Sequence, residues 1–459
     1  MARSEPVEVP DEEHERLFER VCAIDVAKGA GKVCTRLPHP QATGRRVTRV
    51  WDVDAVTGDV IELGDHLACQ GIEVVTLEST SDYWRIFFYL LEARGLRVQL
   101  VNAQHAKSLP GRPKTDKLDS VWLAKLTEKG LLRPSFVPPP EIRQLRDFTR
   151  LRLDLTAERT RHWSRLEKLL EDALIKVTSV ASRITTASVR DMIEALIAGE
   201  RDPKVLAGFA RGRMREKHAA LIEALTGRFG HHHALLARML LDQIDTLTGQ
   251  IDQLTTWIED HLQAIPAAQP PGPGGPDDPD GRGRGCDHRQ SCTCLLGAVA
   301  RLDEIPGITP HGAQIILAEI GLDMSRFPTV GHLVSWAKLC PRTLQSGPKN
   351  KTGKPGKGNR YLKGVLSEMA TAAAKTDTFL GERYRRIVKR RGKLRAMVAV
   401  ARSILVIIWH LLAAPAARFR DLGPDYYTTK INKDRKASTH IRQLQALGFT
   451  VTLTPAEAA

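Results

Sequence analysis

Four acidic residues stand where acids can do chemistry. Asp25 closes an apolar run, Val21 to Val26, and Glu78 follows the β-branched run Ile72 to Leu77. Asp116 and Asp119 are three apart at the start of a helical pattern, about 60° apart around its axis, so both can face one point. Two strand-end acids and a helical pair can converge on two hard cations roughly 4 Å apart, the arrangement that in-line phosphoryl transfer requires. All-oxygen ligands favour Mg²⁺. Taken singly, each acid has a plainer explanation, because strand ends and helix caps use Asp freely. The four together, in this order along strands and a helix, outweigh it.

A second stretch combines a hydroxyl with positive charge. Gln345-Ser346-Gly347 is followed by Pro348-Lys349-Asn350-Lys351 and by Gly356-Lys357-Gly358-Asn359-Arg360. Between Pro341 and Leu366 there is no acid, while Arg342, Lys349, Lys351, Lys354, Lys357, Arg360 and Lys363 are all cationic. Such a loop can neutralise several phosphates, and a serine in that field has its oxygen near a phosphate whose charge is offset. On residue chemistry alone, a basic DNA-binding loop that happens to contain a serine explains the segment better. Upstream, Ile305-Pro306-Gly307-Ile308 before an Ala/Ile-rich helix from about His311 to Ile320 looks like a helix–hairpin–helix, whose glycine turn can offer N–H groups to a phosphate. Downstream, eight cations from Arg383 to Arg395 form a basic run that can track a nucleic-acid backbone.

The elements that must position these residues follow from periodicity. Val21–Val26, Val33–Thr35, Val47–Val53, Ile72–Leu77 and Leu96–Val101 read as strands, with helices at about Tyr83–Ala93 and Asp116–Leu126. Strands first, then strand–helix alternation, argue an α/β domain with a mixed sheet. After Pro138-Pro139-Pro140 the pattern becomes helical. Leu145, Phe148, Leu151 and Leu155, then Leu166, Leu169, Ala173 and Val177, give a long amphipathic helix with a polar break near Glu158–Arg161. Leu240, Ile244, Leu247, Ile251, Leu254 and Ile258 form a heptad seam that needs a partner, either the first long helix or a second subunit. The expected divisions are a flexible N-terminus (1–19), an α/β domain (20–137), a coiled-coil region (138–265), a Pro/Gly linker (266–294), a basic helical domain (295–425) and a tail (426–459). The tail carries one helix, Thr439–Leu447, and a short strand, Thr450–Leu453.

Composition agrees with a polyanionic partner. The chain has 459 residues with 68 Lys and Arg against 53 Asp and Glu, a net charge of +15. That excess favours nucleic acid over an anionic membrane surface. No apolar segment follows Met1, and the run Ile404 to Leu412 is too short to span a bilayer, so a cytoplasmic protein without a membrane partner is expected. Seven scattered cysteines read as reduced thiols. Cys286, His288, Cys292 and Cys294 depart from the usual zinc spacing and read as thiols in a linker rather than as a metal site.

Several blocks together resemble the DEDD insertion-sequence transposases, relatives of the Piv-type DNA invertases. They are Ile24-Asp25-Val26-Ala27-Lys28, Leu77-Glu78-Ser79-Thr80 with Tyr83-Trp84, and Lys114-Thr115-Asp116 with Asp119. In the C-terminal half they are Ile305-Pro306-Gly307-Ile308, Ala318-Glu319-Ile320-Gly321, Cys340-Pro341 to Ser346-Gly347, Gly358-Asn359-Arg360 and Val398 to Arg402. The resemblance implies a RuvC-like domain of RNase H fold, a coiled coil for assembly and a mainly helical transposase domain. It makes Ser346 the nucleophile of a phosphoserine–DNA intermediate, assisted by metal-bound acids, with Lys114 among the residues that touch nucleic acid. It further implies donor and target DNA as substrates, a structured non-coding guide RNA, and composite sites in a homodimer or homotetramer. Ser81-Asp82 stands where the family often has glycines. The other enzyme reading is a metal-dependent junction resolvase or nuclease that uses the four acids without the serine; a non-catalytic nucleic-acid-binding protein would not need the acids.

Overall fold

A computed structural model describes all residues except 1–16, 43, 80, 103–115, 271–295, 342, 347–348, 354–355, 430–432 and 453–459. Lys114, Arg342, Lys354 and the group Cys286, His288, Cys292 and Cys294 lie outside the described residues. The chain divides into two compact units, Met1–Val137 and Pro138–Ala459.

The first unit is built on a five-stranded mixed sheet: β1 (Val21–Val26), β2 (Ala30–Pro38), β3 (Arg46–Asp54), β4 (Val74–Ser79) and β5 (Val98–Asn102). The strand order is β3-β2-β1-β4-β5; β1, β2 and β3 pair antiparallel, whereas β1–β4 and β4–β5 pair parallel. Period-two alternation divides the central strands between two cores. Cys22, Ile24, Val26 and Leu77 face α1 (Thr57–Cys69) and α2 (Trp84–Ala93), packing on Val60, Leu63, Leu67, Phe87 and Leu91. Val21, Ala23, Cys34 and Val74 face the other way, onto Leu123 and Ala124 of α3 (Asp116–Glu128). The expected strands are all present, with β4 and β5 starting two residues later than periodicity placed them. Ile72 is spent on the turn out of α1, where its N–H donates to the Leu67 carbonyl. Helix α1 was not anticipated, although Val60, Leu63, Gly64 and Leu67 give it a buried stripe.

The second unit is helical. Helix α4 (Pro140–Asp172) and α5 (His231–Ala264) lie antiparallel, with His261 against the Glu141 carbonyl (2.7 Å), Arg152 against Thr255 (3.4 Å), Arg159 against Thr248 (3.3 Å) and His233 against Asp172 (3.1 Å). The heptad seam of α5 therefore finds its partner in the same chain. The polar stretch Glu158–Arg161 does not break α4, because Arg159 and Thr248 meet across the pair there. The helix ends at Asp172, and Leu174 takes a positive φ of 61°, so Val177 belongs to a separate turn. The C-terminal part comprises a short helix Ala298–Asp303, α6 (Pro310–Ile320), Val330–Trp336, the hairpin β6 (Thr343–Ser346) and β7 (Lys349–Thr352), α7 (Arg360–Ala373), α8 (Phe379–Arg391) and α9 (Lys393–Ala413).

The structure departs from the sequence expectations in three places. The segment around Ser346 is a two-stranded antiparallel hairpin rather than an irregular loop. The apolar run Ile404–Leu412 belongs to the 21-residue α9, which by length and composition is long and apolar enough to cross a bilayer. Val400, Ile404, Leu405, Ile408 and Leu411 of α9 are nonetheless buried, against α7, α8, Val330–Trp336 and Ala298–Asp303. No strand forms at 450–452, since no edge among the described residues pairs with it.

Candidate active site

In β1 and β4, Asp25 and Glu78 are register partners across a parallel pair. Adjacent strands lie about 4.8 Å apart, so the two carboxylates sit side by side at the carboxyl ends of neighbouring strands. Both share parity with Val21, Ala23 and Val74, which places them on the face covered by α3. Glu78 is buried and Asp25 half-buried.

Helix α3 is oriented by its far end. The Glu128 carboxylate is held by Arg36 of β2 (3.0 Å) and Arg46 of β3 (2.6 Å), all three largely buried. The Glu128 carbonyl accepts from Leu17 N–H (2.9 Å), just before β1. Thr127 Oγ1 meets Thr76 Oγ1 of β4 at 2.8 Å, and Gln99 also donates to Thr76 (2.7 Å). With its last turn fixed near the start of β1, the helix runs antiparallel to β1 and β4. Its length of about 18 Å carries its first turns to the strand ends. Asp119, half-buried one turn in, therefore belongs to the same end of the sheet as Asp25 and Glu78, and the backbone of Asp116 opens the helix there. The donors are all carboxylate oxygen on rigid elements, a set that fits a hard divalent cation.

The second unit carries Ser346 at the end of β6, with Lys349 as its register partner at the start of β7. The base of this hairpin is tightly built. Gly358 has φ +61°, and a side chain there would meet the Ala337 carbonyl at 2.8 Å and Lys338 Cβ at 3.2 Å; Lys338 itself has φ +55°. Asn359 caps α7, accepting from Tyr361 N–H (2.9 Å) and Leu362 N–H (3.2 Å). Lys363 donates to the Gly356 carbonyl (2.6 Å), so this cation secures the protein's own backbone, and its desolvation lowers its pKa. Lys357 and Arg360 are exposed, Arg360 lying over the Tyr361 ring at 4.5 Å.

The residues that sequence reasoning missed lie beneath this base. Glu319, with no exposure at all, receives Arg150 Nε on Oε1 (2.8 Å) and Nη2 on Oε2 (2.9 Å), and Asn359 Nδ2 also donates to Oε2. Arg146 reaches the Ala318 (3.0 Å) and Glu319 (2.8 Å) carbonyls. The glycine of the expected phosphate-binding turn, Gly307 (φ +91°), is required for another reason. A side chain there would strike the Met369 carbonyl at 2.5 Å and Ala373 N at 2.8 Å, because the turn packs on the end of α7. The basic run Arg383–Arg395 is divided between α8 and α9 by Gly392 (φ +77°). Among the described residues, Asp172, His232 and His233 also place ligating atoms within 4.8 Å of one another. His233 Nδ1 accepts from Gly230 N–H (3.0 Å), which leaves the proton on Nε2 facing Asp172. Both ring nitrogens of His233 are thus spent on holding the helix end.

Two family models match the chain. One, for DEDD transposases of the IS110 type, covers residues 22–175; the other, for the transposase family of IS116, IS110 and IS902, covers residues 299–385. The first match contains Asp25, Glu78, Asp116 and Asp119; the second contains Glu319, Ser346 and Asn359. Two relatives from Streptomyces coelicolor are similar. An IS110 insertion-element protein of 43.6 kDa is 32% identical over 114 residues, covering 24% of this chain and 28% of the relative. A mini-circle protein named as a transposase for IS117 is 29% identical over 176 residues, covering 38% of this chain and 34% of the relative. The chain thus spans about a third of the length of the curated relatives it matches.

Proposed function

The chain belongs to the IS110-type DEDD transposase family, and from that premise we propose that it is a cytoplasmic DNA transposase that cuts and rejoins strands through a phosphoserine link at Ser346. The observation that carries the reading is the opposed pair Asp25 and Glu78 at the ends of parallel strands, with Asp119 brought to the same end by α3. The strand order β3-β2-β1-β4-β5, antiparallel on one side and parallel on the other, supports a RuvC-like domain of RNase H type. Asp25, Glu78, Asp116 and Asp119 would hold Mg²⁺. When bound, the cation supplies charge neutralisation at a phosphate oxygen and orients it.

The remaining steps fall to the chain's own residues. Ser346 Oγ attacks phosphorus, and its proton passes to water or to a carboxylate of the acid set supplied by a neighbouring subunit. The bond from phosphorus to the departing deoxyribose oxygen breaks, and that oxygen takes up a proton. A hydroxyl of the second DNA strand then attacks the phosphoserine and frees Ser346, so no phosphodiester is lost to water. The cations Lys349, Lys351, Lys357 and Arg360 offset phosphate charge during both exchanges. Donor and target DNA, a structured non-coding RNA that selects them, and a homodimer or homotetramer with composite sites complete the proposal.

The test is a nicked duplex copied from the DNA flanking this gene, incubated with the full chain and RNA transcribed from the same flank. The expected result is a covalent protein–DNA adduct on the peptide containing Ser346, absent in Ser346→Ala although DNA binding persists. Cleavage by Ser346→Ala without any adduct would overturn the serine step and leave a metal-dependent nuclease.

A further inference from the structure

We propose that Glu319 and Asn359 are positioning residues that set the serine hairpin in place, an inference that rests on Ser346 being the nucleophile. The strands β6 and β7 lie between Lys338 and Gly358 in the chain, and these two positions touch. Both have left-handed backbone, which glycine adopts freely and Lys338 only against steric resistance from its Cβ. A surrounding structure must impose that conformation, and the residue next to Gly358 shows how.

Asn359 is joined in two directions through one amide. Its oxygen accepts from the N–H groups of Tyr361 and Leu362, and its nitrogen donates to Glu319 Oε2. The orientation of the amide is fixed by chemistry, since only the oxygen can receive two N–H donors. Glu319 in turn is anchored to α4 by the bidentate Arg150, whose guanidinium lies 4.6 Å from the Tyr361 ring centroid. Tyr361 OH reaches Asp154, also on α4, at 3.3 Å. The base of the hairpin is therefore fixed to the rigid α4 through α6 and α7.

Stability alone does not account for this construction. A buried Arg–carboxylate pair gains little over an apolar packing of the same volume; what it adds is a defined geometry. A nucleophile has to be held to within about 0.5 Å of its productive position, and a hairpin of two four-residue strands cannot do that unaided. The amide of Asn359 also has a property that a purely structural cap would not need. Aspartate would cap α7 equally well, but it would set a second carboxylate against Glu319.

That distinction gives the experiment. In the full chain, Asn359→Asp keeps the cap and breaks the link. Glu319→Gln combined with Asn359→Asp restores a donor and an acceptor with their positions exchanged. At saturating flanking-sequence duplex, Asn359→Asp is expected to lower the first-order rate of adduct formation about 100-fold, with half-saturating DNA unchanged. The double variant should recover to within about tenfold of wild type, a coupling between neighbours. Amide exchange across residues 343–352, measured without DNA, should quicken in Asn359→Asp and slow again in the double variant. Wild-type exchange and adduct rate in Asn359→Asp would overturn the inference, as would a rate loss that the double variant fails to restore. Adduct formation by Ser346→Ala would instead overturn the serine reading, so the two failures are distinguishable. The exchange measurement decides the positioning claim even if no adduct forms.

Discussion

The acid site and the serine hairpin are positioned by opposite means. Asp25 and Glu78 are placed by regular backbone: two parallel strands in register bring the carboxylates together, and one helix clamped at its far end delivers Asp119. The hairpin that carries Ser346 has only two strands of four residues, and its base is held by side chains of α4 and of the α7 cap that meet on Glu319 of α6. The first kind of site tolerates a lost side chain without losing its frame. In the second kind, the side chains are the frame.

The largest expected effect breaks the comparison at the acid site. Asp25→Asn should lower strand cleavage by at least about 10³-fold, while the melting temperature changes little, because β1 is held by its backbone pairing to β2 and β4 on either side. A drop in melting temperature that accounts for the lost cleavage would show that Asp25 helps hold the sheet together. Next in size, Glu319→Ala should destabilise the second unit by about 3 kcal/mol, since Arg150 and Arg146 lose a buried counter-charge. Urea unfolding followed by Trp409, whose indole N–H donates to the Phe327 carbonyl, can read this. A loss below about 1 kcal/mol would class the network with ordinary surface ion pairs. The smallest effect sharpens the comparison. Arg152 is fully buried in the helical pair on neutral partners, Gln314 (2.8 Å) and Thr255, and desolvation pushes its pKa down to about 10. Arg152→Met should change stability by no more than about 1 kcal/mol, measured as the shift in denaturation midpoint. A large loss would mean that buried polarity serves stability here as well as placement.

How far each site could be read from the sequence follows the same division. Strand periodicity located β1 and β4 well enough to place Asp25 and Glu78, because parallel register depends on local apolar patterns. The spacing of Asp116 and Asp119 placed both at the start of α3. The heptad at Leu240–Ile258 announced a helical partner, and only the structure identified it as α4. Glu319 and Asn359 gave no local sign of their role. They stand 40 positions apart in the chain, and Arg150 and Glu319 stand 169 apart; such contacts have no period and no composition. Their only trace was that Ala318-Glu319-Ile320-Gly321 and Gly358-Asn359-Arg360 fall within the family-like blocks. The charge of Lys363 suggested a phosphate contact, and no local pattern signalled that its ammonium also donates to the Gly356 carbonyl.

Helix α9 has a consequence for how the chain is made. Its 21 apolar-rich residues would be a hazard if they emerged from the ribosome unaccompanied, either as a sticky surface or as a segment for membrane insertion. Among the described residues, the elements it packs against most extensively — Ala298–Asp303, the turn at Met324–Arg326, Val330–Trp336, α7 and α8 — lie before it in the chain. By the time α9 is translated, the elements that receive it have already been synthesised, so the order of elements along the gene protects this long apolar helix at the moment it is most exposed.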